Sequence, residues 1–104
     1  MKENKEDVYK YLCGAYYGVE LVDEYSTKEY IMQDIDNYIK KFLEENEIDD
    51  YQNKRRNYEQ ELSDKTKLQD SLLVLPKVKA PLELILLIKL KLKEIREEEV
   101  KNSK

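Results

Sequence analysis

Pro81-Leu82-Glu83-Leu84-Ile85-Leu86-Leu87-Ile88-Lys89-Leu90-Lys91-Leu92-Lys93 admits two readings, and the class of the whole chain follows from the choice between them. From Ile88 to Lys93 apolar and charged residues alternate with period two, as in a half-buried strand. Ile85, Ile88, Leu92 and Ile95 are instead spaced 3, 4, 3, which places them on one face of a helix. Pro81 suits the first position of a helix. The Lys/Glu-rich tail carries the pattern on to about Val100, and this length favours helix over strand.

Working back from this stretch, Pro76 and Pro81 bracket Lys77-Val78-Lys79-Ala80 as an extended connector. Before it, residues 50–75 form one long helix or two. Asp49 or Asp50 can cap its start, and its apolar face is thin: Tyr51, Tyr58 and Leu62, with Arg55 in the seam. Ser63 or Thr66 can restart it, after which Leu68, Leu72 and Leu75 share a face. Ser26-Thr27-Lys28-Glu29 fits a capping box, with Tyr25 and Tyr30 as a hydrophobic staple, and opens a helix over 27–45. That helix carries Ile31, Ile35, Tyr38 and Phe42, widened by Met32, Ile39 and Leu43. A first helix over 6–24 follows from Val8, Leu12, Ala15, Val19 and Val22, spaced 4, 3, 4, 3. Gly14 and Gly18 either kink it or, lying on one face, let another helix approach closely.

These segments predict an all-α fold: a single domain over 1–104, built as a small bundle of four helices, or five if 50–75 breaks near 63. Two glycines and two prolines leave few sites for tight hairpin turns. The last helix is apolar over more than one stripe. It is expected at the centre of the bundle or in a dimer interface through Leu84, Leu87, Ile88 and Leu92.

Charge is polarised. Residues 1–52 hold 6 Lys/Arg against 14 Asp/Glu, and residues 53–104 hold 13 against 9, so the halves carry −8 and +4 and sum to −4. All nine tyrosines lie between Tyr9 and Tyr58. The lone Cys13 cannot form an intramolecular disulfide, the N-terminus does not resemble a signal peptide, and no apolar run approaches the ~20 residues of a membrane span. A cytoplasmic protein is expected, in the host-cell cytoplasm if viral. Abundant Lys, Glu, Ile, Asn and Tyr with scarce Ala and Gly agree with a phage or mobile-element source.

The chain is poorly supplied for catalysis. Without histidine it lacks the commonest general base, a partner for a Cys13 nucleophile, and the ligands of Cys/His zinc sites. It has no phosphate-cradling glycine loop, and Glu44-Glu45-Asn46-Glu47-Ile48-Asp49-Asp50 lacks the glycine and spacing of a calcium loop. No catalytic, cofactor or metal residue is predicted, and no enzyme activity is expected. A carboxylate hydrolase would require Glu20, Asp23, Asp34 and Glu45 to converge on a cleft.

The expectation is therefore a non-enzymatic accessory or regulatory module. It would dock on a larger protein through an acidic, Tyr-rich face made of Glu20, Asp23, Glu24, Asp34, Tyr17 and Tyr25. Carboxylates there could imitate nucleic-acid phosphates in a basic groove of the partner. The alternative is a transcriptional or replication regulator that binds nucleic acid through Lys54, Arg55, Arg56, Lys65 and Lys67.

Overall fold

The computed structural model describes residues 4–48 and 51–102, without the side chains of 51–53. Five α-helices and one 3-10 turn make an all-α bundle, with no strand among the described residues. They are α1 (Lys5–Glu20), α2 (Lys28–Glu45), α3 (Tyr51–Glu61), α4 (Asp64–Val74), the 3-10 turn (Leu75–Val78) and α5 (Leu82–Asn102). Asp49 and Asp50, the expected caps of the third helix, lie outside the described residues.

Asn4 starts α1 by accepting the Glu6 amide on its side-chain oxygen at 2.8 Å. The helix stops at Glu20, one turn before the expected Glu24. The chain turns there so that Val22, outside the helix, drops into the core at 1 % exposure. Lys28 Nζ donates to the Glu20 carbonyl at 2.9 Å and satisfies one of the C-terminal acceptors.

The capping box predicted at Ser26 and Glu29 is absent. Thr27 occupies the cap position of α2 and makes no side-chain cap bond. The staple fails with it, because Tyr30 is 74 % exposed. Burial of Ile31, Met32, Ile35, Ile39 and Leu43 holds α2 in place instead, while Tyr38 faces outward. At its far end Ile48 donates to the Leu43 carbonyl at 3.0 Å and Glu47 to that of Glu44 at 3.3 Å. This is a Schellman turn with Glu47 at φ 54 where glycine is usual.

Residues 51–74 break into two helices. Ser63 leaves the helical region, at ψ 160, and its Oγ accepts the Thr66 amide at 3.2 Å to restart the chain as α4. The expected extended connector is instead a 3-10 turn, since Pro76 fits the first positions of such a turn. Lys79, at φ 55, then takes the left-handed conformation that ends it.

Gly14 and Gly18 do not kink α1; they bring α4 against it. A β-carbon at Gly18 would collide with the Lys67 carbonyl and the Ser71 hydroxyl. Buried Ser71 shares its proton between the carbonyls of Ala15 and Lys67, each 3.0 Å away. Consequently α1 is the central element, touching α2, α3 and α4, whereas α5 packs chiefly on α4. This corrects the expectation of a central last helix.

The ambiguous stretch is helical. The Pro81 carbonyl accepts the Leu84 amide at 3.1 Å, and α5 buries Leu84, Ile88 and Leu92. From Arg96 onward every described residue of α5 is exposed.

Candidate functional site

The expected acidic face is dispersed. Glu20 ends α1, Asp23 and Glu24 sit in the following turn, and Asp34 lies on α2; all four are exposed. The tyrosines assigned to this face are partly committed to the core. Tyr17 is half-buried and meets Tyr16 edge-on at 5.2 Å, and its hydroxyl is pushed up to about 12 by burial. Tyr25 is also half-buried against the core. Tyr9 is fully buried and meets Tyr58 edge-on at 5.7 Å.

The basic set is largely neutralised within the fold. Lys54 Nζ pairs with Glu6 at 3.1 Å. The Tyr58 hydroxyl donates to the same carboxylate at 2.7 Å, and the two donors hold the Glu6 carboxyl below its usual range. Arg55 is drawn inward: its Nη1 lies 2.7 Å from Asp36 Oδ1, and its guanidinium stands 5.0 Å over the Tyr16 ring. Burial acts to raise the Asp36 pKa, but the hydrogen bonds from Arg55 and Lys40 outweigh it and hold that carboxyl low. Lys65 pairs with Glu99 at 3.1 Å, and the largely buried Lys67 reaches Asp64 at 3.9 Å. Arg56 is exposed.

Sequence reasoning missed the Asp36–Arg55 pair. Its one visible signal was a cation in the seam of a helix with too few apolar residues. Asp70 was missed as well. It lies against α1 at Gly14, and burial raises its carboxyl to about 7 despite the opposing influence of Lys10.

Glu20, Asp23, Asp34 and Glu45 are all exposed. Cys13 is buried and its thiol is pushed up to about 11, chiefly by burial, so little thiolate exists at neutral pH. No group of three His, Cys, Asp or Glu able to hold a metal occurs among the described residues. No described helix is long and apolar enough to cross a membrane.

The surface that stands out is the outer face of α5. Of the expected dimerisation residues, Leu84, Ile88 and Leu92 are buried inside the chain itself and Leu87 is half-buried. Among the described residues the exposed aliphatic side chains are different ones: Leu82 at 69 %, Leu86 at 54 %, Leu90 at 53 % and Val100 at 65 %, joined by Leu73 of α4 at 58 %; the exposed aromatic ones, Tyr30 and Tyr38, lie on α2. Leu82, Leu86, Lys89, Lys93, Arg96 and Val100 are spaced 4, 3, 4, 3, 4 and form a second stripe along the helix. A hollow of about 520 Å³ between α4 and α5 is lined by Gln69, Leu72, Leu73, Lys89, Leu92 and Arg96. Beyond it the open surface of α5 continues over Lys93, Arg96, Glu97 and Val100.

Comparison of the chain with protein-family models, curated proteins and solved structures finds no match.

Proposed function

We propose that the chain is a non-catalytic protein-binding module, an accessory or regulatory protein that docks through the outer face of α5 and the adjoining edge of α4. The observation that carries this is the set of four leucines, Leu73, Leu82, Leu86 and Leu90, each more than half exposed, of which Leu73 lines the groove between α4 and α5. Interfaces gain most of their energy from apolar anchors that fit into pockets. Beside the acidic residues of the first half, Tyr17 and Tyr25 are half-buried, and the exposed rings are Tyr30 and Tyr38, which flank Asp34 on α2; their hydroxyls make them weaker apolar anchors than leucine.

Covering the exposed half of four leucines is worth roughly 4–6 kcal/mol. Lost translational and rotational freedom offsets much of that on association, so charged groups on the partner must contribute too. A second copy is poorly suited to supply them. An antiparallel α5 pair centred on this stripe would set Lys89 and Lys93 against the same residues of its mate. Nucleic-acid binding through residues 54–67 is disfavoured because Lys54, Arg55, Lys65 and Lys67 already have carboxylate neighbours.

Affinity capture from lysate of the organism that makes the protein tests the assignment. Leu86→Glu with Leu90→Glu should abolish capture of a partner retained by the wild type. Glu20→Lys with Asp23→Lys and Glu24→Lys should leave capture intact. The opposite pattern would move the docking surface to the acidic face.

A further inference from the structure

We infer that the α5 face takes an amphipathic helix whose polar rim is acidic; this rests on the docking surface proposed above. The stripe supplies the shape. It runs from Leu82 to Val100, roughly 27 Å at 1.5 Å per residue, and its 4, 3, 4, 3, 4 spacing is the register in which one helix packs along another. Its two ends are apolar, Leu82 with Leu86 and then Val100, all more than half exposed.

The charge pattern supplies the chemistry. Lys89, Lys93 and Arg96 occupy the middle of the stripe, and Lys89 and Arg96 also line the groove beside Leu72 and Leu73. Lys93 makes an exposed contact with Glu97 at 4.0 Å, one turn on along the same helix. A partner carboxylate can displace such a contact at little cost. Glu83 and Glu94 lie on the opposite flank of α5, beyond Leu90, so the face grades from basic beside α4 to acidic away from it. A docking helix with carboxylates along one edge is thereby oriented with that edge toward α4. The leucines argue for a protein helix over a polyanion, because phosphate contacts leave apolar side chains uncovered.

Fluorescence polarisation with synthetic helical peptides of about 18 residues tests this. All carry leucines at 3–4 spacing and differ only in the flanking positions, which are Glu, Gln or Lys. The Glu peptide should bind roughly tenfold tighter than the Gln peptide at about 50 mM salt, and the advantage should shrink as salt rises. Lys89→Glu with Lys93→Glu and Arg96→Glu should reverse the preference toward the Lys peptide. These positions are exposed, and circular dichroism checks that the variant is folded.

Equal binding of all peptides, or none, overturns the inference. In that event the docking surface itself still stands or falls by the capture of the Leu86/Leu90 variant. Tighter binding to a short DNA duplex or to phosphatidylglycerol vesicles than to the Glu peptide also overturns it. So does a dimer of the chain alone that Leu86→Glu dissociates, since the occupant is then a second copy.

Discussion

Asp70 is a carboxyl that the fold keeps against α1, where Gly14 leaves no side chain to displace it. Its folded pKa of about 7 lies above the ordinary 3.8, with burial as the main cause. The folded state therefore holds this proton more tightly than the unfolded chain. The resulting loss of stability is nil below pH 4, grows as pH rises to about 7, and is complete above that. Asp70→Asn should thus stabilise the protein at pH 8 by about 1–2 kcal/mol, allowing for its partial exposure, and change little at pH 4. Urea unfolding at the two pH values measures the difference. Glu6 and Asp36 have the opposite sign: their lowered pKa values contribute stability that disappears as pH falls below the usual carboxylate range. Arg55 and Asp36, each about one-seventh exposed, should behave as a unit. Arg55→Met alone should cost about 2–3 kcal/mol by removing the closer of the two cations that hold Asp36, whereas Arg55→Met with Asp36→Leu should recover most of it. Glu47, in the left-handed region, invites a third substitution. Glu47→Gly should raise stability by about 0.5–1 kcal/mol, read as a higher melting temperature. These sites were largely hidden in the sequence. Arg55 showed as a cation in a seam, but its partner Asp36 is on another helix, and the packing of both α3 and α2 on α1 brings the two within reach.

Elements whose face is set by long apolar periodicity were the most legible. The spacing of Ile85, Ile88, Leu92 and Ile95 predicted helix for the last segment, and α5 is helical. Its buried centre is Leu84, Ile88 and Leu92, with Ile85 and Ile95 half-buried, so the face is rotated slightly from the seam. The glycine pair was legible too: Gly14 and Gly18 mark where α4 crosses α1. Local capping signals were poorer guides. Ser26 and Glu29 match a capping box, but the chain must turn at Leu21–Glu24 to bury Val22, and the helix begins one residue late for the box, at Lys28 with Thr27 in the cap position. The orientation of α5 gives a direct element-scale contrast. Ile88→Ala should cost about 2–4 kcal/mol because the site is fully buried, while Leu86→Ser, two residues away on the outer face, should stay within about 0.5 kcal/mol. Equal losses would mean that the helix faces the core differently.

At the scale of the molecule, the split between an acidic and a basic half is partly absorbed in assembly. Glu6 reaches Lys54 and Asp36 reaches Arg55, each joining the first half to the second, while Lys10 meets Glu61 in the reverse sense. Such pairing could not be read from composition, because it depends on α3 folding back onto α1. What assembly leaves over is the leucine and lysine stripe of α5, which the sequence showed only as excess apolarity in one helix. That excess was read as a dimer seam because burial inside the chain could not be told from burial between chains. The central claim is that this face, and not the acidic one, meets the partner. Site-specific photocrosslinking tests it most directly, with a benzophenone side chain placed at position 86 or at position 23 in lysate of the source organism. The account predicts a discrete heavier adduct from position 86 and none from position 23. An adduct from position 23 alone would contradict it.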